Sequence, residues 1–280
     1  MNAFPTFPQP LARIGVLGVQ SDENSSHLRG AALAPPKIRE AFFCDSSNLW
    51  TENETDLGTP GLFADAGDIA PLAGDMLRAT EDAAARLYEA GLRVIALGGD
   101  HAISFPLLKA AARFHRGITI LHFDAHPDLY EELDGNRFSH ASPFARIMES
   151  GLAKRLVQVG IRTINGHQRE QARRFGVEVF TMREWRRALD LRFDSPLYIS
   201  FDIDGLDPAF APGVSHCEPG GLSTREALGI IQSLSAEVIG ADIVEFNPLR
   251  DPSGMTARVA AKLFKEIAGK MLEGPAPPLT

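Results

Sequence analysis

The stretch ILHFDAHPDLY, residues 120–130, begins as a buried strand and then changes character. Ile120, Leu121 and Phe123 are apolar, as a strand covered on both faces requires. Asp124, His126 and Asp128 follow at every second position. In an extended chain alternate residues share one side, so two carboxylates and an imidazole can converge just past the strand end. Charge taken out of water without a partner is costly, so the rest of the chain must supply one.

Two other apolar segments end in a similar way. In ALGGDHAIS (96–104), Gly98 and Gly99 let the backbone turn before Asp100 and His101. In SFDIDGLDP (200–208), Asp202 and Asp204 lie two apart. If these strand ends are adjacent, His101, Asp124, His126, Asp128, Asp202 and Asp204 meet. Four carboxylates brought together repel and raise one another's pKa, and two divalent cations would neutralise them. Two imidazoles and four carboxylates, with no thiolate, suit a borderline-hard ion such as Mn²⁺ better than a structural zinc. Paired ions sit about 3.5–4 Å apart, can share a carboxylate, and turn a shared water into a nucleophile near neutral pH. Taken singly, an Asp-X-Asp is an ordinary loop or helix cap, and a strand-end His is an ordinary hydrogen-bonded residue. It is their joint occurrence at three apolar strand ends that points to a site.

The surrounding pattern alternates short apolar segments with amphipathic ones. Residues 13–19, 93–99, 117–123, 155–161, 177–180, 197–203 and 238–246 read as strands, and 73–91, 103–114, 142–151, 223–234 and 255–272 as helices. Ser223 with Glu226 forms a capping-box pattern, and Gly91 reads as a helix C-cap. This alternation predicts an α/β protein whose mainly parallel sheet has helices on both faces. Sites in such sheets lie beyond the carboxyl ends of the strands. No repeat or linker interrupts the chain, so one domain over residues 1–280 is expected, with about ten N-terminal and eight C-terminal residues loose. MREWRRAL (182–189) reads as a solvated helix face with an aromatic anchor.

Composition excludes several function classes. A net charge of −8 argues against general nucleic-acid binding. Cys44 and Cys217, the two cysteines, read as reduced thiols rather than a disulfide framework. MNAFPTFPQPLARIGVLGV (1–19) has no basic segment ahead of an apolar run, nor the Arg- and Ser-rich character of a transit peptide. No apolar run approaches the length of a membrane span. The expectation is a cytoplasmic protein that binds neither nucleic acid nor membrane.

GGDH (98–101), DAHPD (124–128) and SFDIDGLDPAFAPG (200–213) resemble the ureohydrolase family of arginases, agmatinases and their relatives. The likeness covers nearly the whole chain. SSHLRGAALAPPKIREA (25–41), GNRFSHASPFARIMESG (135–151), APGVSHCEPGGLSTRE (211–226) and VEFNPLRDPSGMTARVAAKL (244–263) look most like the plant-type arginase branch. The resemblance implies an arginase-like, three-layer α/β/α fold and a centre of two Mn²⁺ per subunit. It further implies a trimer or hexamer, and hydrolysis of a small guanidino substrate to urea and an amine. L-Arginine is the expected substrate, with agmatine or another guanidino compound as the alternative. A one-zinc deacetylase on a related fold, or a non-enzymatic regulator, are the readings from other classes.

By this family pattern Asp124 and Asp202 would bridge the metals. His101 and Asp128 would complete one coordination shell, and His126 and Asp204 the other. Asp100 would orient His101, or serve only as a turn residue. Asp128 would also relay a proton, and His140 in RFSHASPF would be the catalytic imidazole. Glu245 would pair with the substrate guanidinium, which prefers a bidentate carboxylate; Arg250 or Arg258 is the competing structural partner. At the far end of the substrate, Tyr130, Asn165 and His216 stand where animal-type arginases carry Asn, Asp and Thr. Asn165 and His216 are therefore candidate substrate contacts. Asn136 is another, or else it belongs to an Asp-Gly-Asn turn. His122 reads as packed behind the metal ligands, and Cys217 as a loop residue near the site.

Overall fold

The computed structural model describes residues 3–72, 74–185 and 191–273. Its strands are β1 (Ile14–Val19), β2 (Phe63–Ile69), β3 (Arg93–Leu97), β4 (Thr119–Phe123), β5 (Arg155–Ile161), β6 (Glu178–Thr181), β7 (Leu197–Asp202) and β8 (Val238–Val244). They form one eight-stranded sheet in the order β2-β1-β3-β8-β7-β4-β5-β6, with every pairing parallel. The helices are α1 (Ala34–Phe42), α2 (Met76–Glu89), α3 (Ser104–Ala112), α4 (Pro143–Glu149), α5 (Gly166–Phe175), α6 (Thr224–Ser233) and α7 (Met255–Glu273).

Side chains alternate across the sheet and so build two apolar layers. Ile95, Ile199 and Phe201 pack with Ile38, Phe42, Ile231 and Phe264 on the face covered by α1, α6 and α7. Ala96, Ile120 and Tyr198 pack with Leu87, Leu107, Phe144 and Ile147 on the face covered by α2, α3 and α4. The result is the expected three-layer α/β/α arrangement.

Local sequence accounts for several element ends. Ser223 and Glu226 form a reciprocal capping box at α6. Gly91, at φ 76°, follows α2 in the left-handed region a helix stop uses. Three elements differ from the sequence reading. α1 begins at a Pro pair, which reads as a breaker, yet the first helical turn needs no N–H from those positions. α5 buries only Gln168, Gln171 and Ala172, and so has no apolar stripe to detect. β2 is an edge strand interrupted by Asp65, Gly67 and Asp68, and Arg39 binds the Asp65 carboxylate through two nitrogens at 2.9 and 2.8 Å.

Residues 182–184 form a short 3₁₀ turn rather than the start of an exposed helix, and Trp185 donates to Glu226 at 3.0 Å. The rest of that expected helix lies outside the described residues. In the N-terminal segment, Phe4 is buried against Phe42, Phe43, Phe63 and Phe264. One large aromatic ring supplies enough apolar contact to hold a short tail. Except for Glu273 in α7, the expected loose C-terminal residues lie outside the described ones.

Sheet order positions the chemistry. β3, β8, β7 and β4 are consecutive neighbours, so four segments leave the sheet side by side at their carboxyl ends. Phe123 pairs with Phe201, which places Asp124 beside Asp202. One row behind, His122 pairs with Ser200, and Ser200 with Asp242. No helix among the described residues is long and apolar enough to cross a membrane.

Candidate active site

The six residues read from the three motifs converge. His101 Nδ1 lies 3.2 Å from Asp124 Oδ2, 3.0 Å from Asp128 Oδ2 and 3.2 Å from Asp202 Oδ2. His126 Nδ1 lies 3.3 Å from Asp124 Oδ1 and 3.1 Å from Asp204 Oδ2. Asp124 therefore presents one oxygen to each imidazole. Three backbone devices hold this arrangement. Asp124 Oδ1 accepts from His126 N at 2.6 Å, Asp202 Oδ1 from Asp204 N at 2.7 Å, and Asp204 Oδ1 from Ala125 N at 3.0 Å. Asp128 and Glu245 adopt φ of 50° and 61°, which is costly for residues with a Cβ and concentrated at functional positions.

Groups behind the carboxylates define the imidazole tautomers. Ser200 Oγ donates to Asp242 Oδ1 at 2.7 Å, so it accepts from His101 Nε2–H at 2.9 Å. In the neutral ring that leaves a lone pair on His101 Nδ1, a fully buried atom that faces three carboxylate oxygens. A lone pair aimed at three anionic oxygens is repulsive until a cation stands between them, so the donor set fits a metal ion. Similarly, Gln158 Nε2 donates to both Pro127 O and His122 Nδ1, leaving His122 Nε2–H to hold Asp124 Oδ2 at 2.8 Å. His122 thus lies behind the ligand row, as its depth in β4 suggests. Asp100 does not orient His101. Its two oxygens accept from Ala102 N and Asn24 N, because the chain turns into a 3₁₀ helix there and Asp100 caps it.

Electrostatics show the same excess of negative charge. Burial, together with Asp204 and Asp124, raises Asp202 well above the carboxylate range, and burial with Asp124 pushes Asp204 up to about 6. Against its own burial, Asp124 is held well below that range by His122, His101 and His126. Burial opposes charge on His101 too, but Asp124, Asp128 and Asp202 outweigh it and raise the ring.

A cavity of about 280 Å³ opens over these groups, lined among others by Tyr130, His140, Thr163, His216 and Glu245. His140 Nδ1 lies 2.8 Å from Glu245 Oε1, which also accepts from His101 N at 2.9 Å. These are Glu245's partners in place of Arg250 or Arg258. Burial disfavours charge on His140, yet Glu245 outweighs it and raises the ring to about 9. Glu245 is lowered in turn, against its burial. His216 reaches the cavity, with its ring 5.3 Å from that of His140.

Asn136 and Asn165 are not on the cavity wall. Asn136 donates to Asn24 Oδ1 and accepts from Phe138 N, as a turn residue does. Asn165 caps α5 through Gln168 N and donates to Tyr130 OH at 2.7 Å. Ser26, Ser200, Asp242 and Gln158 were not singled out in the sequence. Ser200 and Asp242 carry a weak signal, since each is a polar residue inside an apolar strand. Cys44 and Cys217 are free thiols, and Cys217 is exposed.

Carboxylates and imidazoles clustered beneath a cavity form a candidate metal site. Residues 12–269 match the Arginase family, and the chain belongs to it: a hydrolase acting on the guanidino C–N bond, in a metal-dependent family. Arginase 1, mitochondrial, from Arabidopsis thaliana is 49% identical, over 93% of this chain and 81% of that protein. The solved structure of the arginase from Medicago truncatula is 45% identical, with a TM-score of 0.88 over 93% of this chain and 88% of that one. More distant is an agmatinase from Bacillus anthracis, 29% identical over 95% and 94% of the two chains. The mitochondrial designation of the Arabidopsis relative overturns the cytoplasmic expectation. Compartment is specified by targeting segments read by receptors, and the composition of a folded domain carries no such address.

Proposed function

We propose that this protein is an arginase that hydrolyses L-arginine to urea and L-ornithine with two Mn²⁺ per chain, held by His101, Asp124, Asp128 and Asp202 on one side and His126, Asp124, Asp202 and Asp204 on the other. The observation that carries the reading is Asp124, whose two oxygens face two different imidazoles, each backed by further carboxylates. That divided ligand set favours two ions over the single zinc of a deacetylase. Bound divalent ions neutralise the carboxylates and lower the pKa of a water at the site.

The reaction adds water across the guanidino C–N bond: oxygen goes to carbon, and a proton to the leaving nitrogen. Glu245, ionised and at the cavity wall, is the counter-charge for the planar guanidinium. His140 is placed to hold and deliver the proton. Identity near one half to plant arginases favours arginine over agmatine. The continuous sheet supports one domain over residues 1–280. A trimer or hexamer is proposed from the family resemblance, to be checked by analytical ultracentrifugation.

The deciding test is urea release by manganese-reconstituted protein on a panel of guanidino substrates. Arginine should be turned over at least tenfold faster than agmatine; equal or faster agmatine turnover overturns the assignment. Metal analysis should return two manganese ions per chain.

A further inference from the structure

His140 has a second nitrogen, and Ser26 binds it through two atoms. Nε2 lies 3.1 Å from Ser26 N and 2.8 Å from Ser26 Oγ. A backbone N–H can only donate, so in the neutral ring Nε2 accepts and the one proton sits on Nδ1, directed at Glu245. Ser26 Oγ differs from that N–H in one respect: it can donate to Nε2 or, after rotation about its C–O bond, accept from Nε2–H. Ser26 also lines the cavity.

The segment carrying Ser26 is tied down on both sides. Asn24 N donates to Asp100 Oδ2 at 2.9 Å, and Asn24 O accepts from His140 N at 3.2 Å. Asn136 holds the Asn24 side chain. Beyond Ser26, Ser215 Oγ donates to Leu28 O, and Asn247 Nδ2 to Arg29 O. Charged and titratable groups acting on His140 are Glu245 after β8, Asp100 after β3, Asp128 after β4 and His216.

We propose that Ser26 is the positioning residue of His140. Its N–H and its hydroxyl both donate to Nε2, and so hold the ring proton on Nδ1 against Glu245. This rests on His140 acting as the proton carrier under the proposed function.

The test compares Ser26→Ala, Ser26→Thr and His140→Asn, alone and with Ser26→Ala added to His140→Asn, in manganese-loaded protein. Ser26→Ala should lower kcat at least tenfold, leave KM within about twofold and leave the metal content unchanged. Ser26→Thr, which keeps the hydroxyl, should restore most of kcat. In the His140→Asn background Ser26→Ala should cost nothing further. Imidazole ¹⁵N shifts recorded above the ring's titration should show His140 as the Nδ1–H tautomer. Equal loss from Ser26→Ala in both backgrounds, or full kcat in Ser26→Ala, overturns the proposal. Undiminished activity of His140→Asn overturns the proton-carrier reading itself, a separate result.

Discussion

Ser200 shows how a residue that touches no substrate can shape the chemistry. Its hydroxyl proton goes to Asp242, which obliges His101 to donate from Nε2 and to present Nδ1 to the carboxylates. Partners of this kind typically change metal affinity 10–100-fold. Ser200→Ala should therefore weaken manganese binding by about tenfold or more, while the fold is kept because the side chain is small. Titration of metal-free protein measures this directly, and unchanged affinity contradicts the tautomer argument. At this scale the sequence was legible where chemistry has period two. Asp124, His126, Asp128, Asp202 and Asp204 follow from spacing alone, and His101 from its position after a glycine pair. Ser26 was not legible, because its partner His140 is 114 positions away.

At the scale of elements, the turn after β3 leaves no room for a side chain. Gly98 N donates to Ile243 O, Asp100 N to Ser21 O and Glu245 N to Gly99 O, so the Gly98–Gly99 backbone threads between the ends of β1 and β8. A Cβ on Gly99 would collide with the Ser21 carbonyl oxygen, and one on Gly98 with the Ile243 carbonyl oxygen. Gly99→Ala should destabilise the protein by about 1–3 kcal/mol and displace His101 and Glu245 together. A denaturant midpoint shift with parallel loss of metal binding checks it; an unshifted midpoint shows that the loop yields without cost. Central strands were legible because they are continuous apolar runs. The edge strand β2 was not, since half of its surroundings is solvent and its sequence need not be apolar.

At the scale of the whole molecule, charge and metal are linked to stability. Asp202 and Asp204 are raised when folded, so the native state retains protons that the unfolded chain releases. Metal-free stability then falls as pH rises from the ordinary carboxylate value through about 6. His126 contributes the same sign: against its burial, Asp204 and Asp124 raise it, giving stability present below the ordinary imidazole value and lost as pH rises past it. A divalent ion held by these groups must displace the protons. Its gain in Tm should therefore be larger at pH 7.5 than at pH 5. Thermal melts with and without the ion decide this, and an equal gain at both pH values contradicts it.

The sequence by itself determined the layered α/β plan, the motif-borne cluster of carboxylates and imidazoles and the membership of the Arginase family, because local period and residue chemistry are written position by position. Tertiary structure decided which strand ends are neighbours, which nitrogen of each imidazole is free, and that Asn136 and Asn165 brace loops instead of facing the cavity. Those outcomes depend on sheet order and on hydrogen bonds between residues far apart in the chain, which no local pattern encodes.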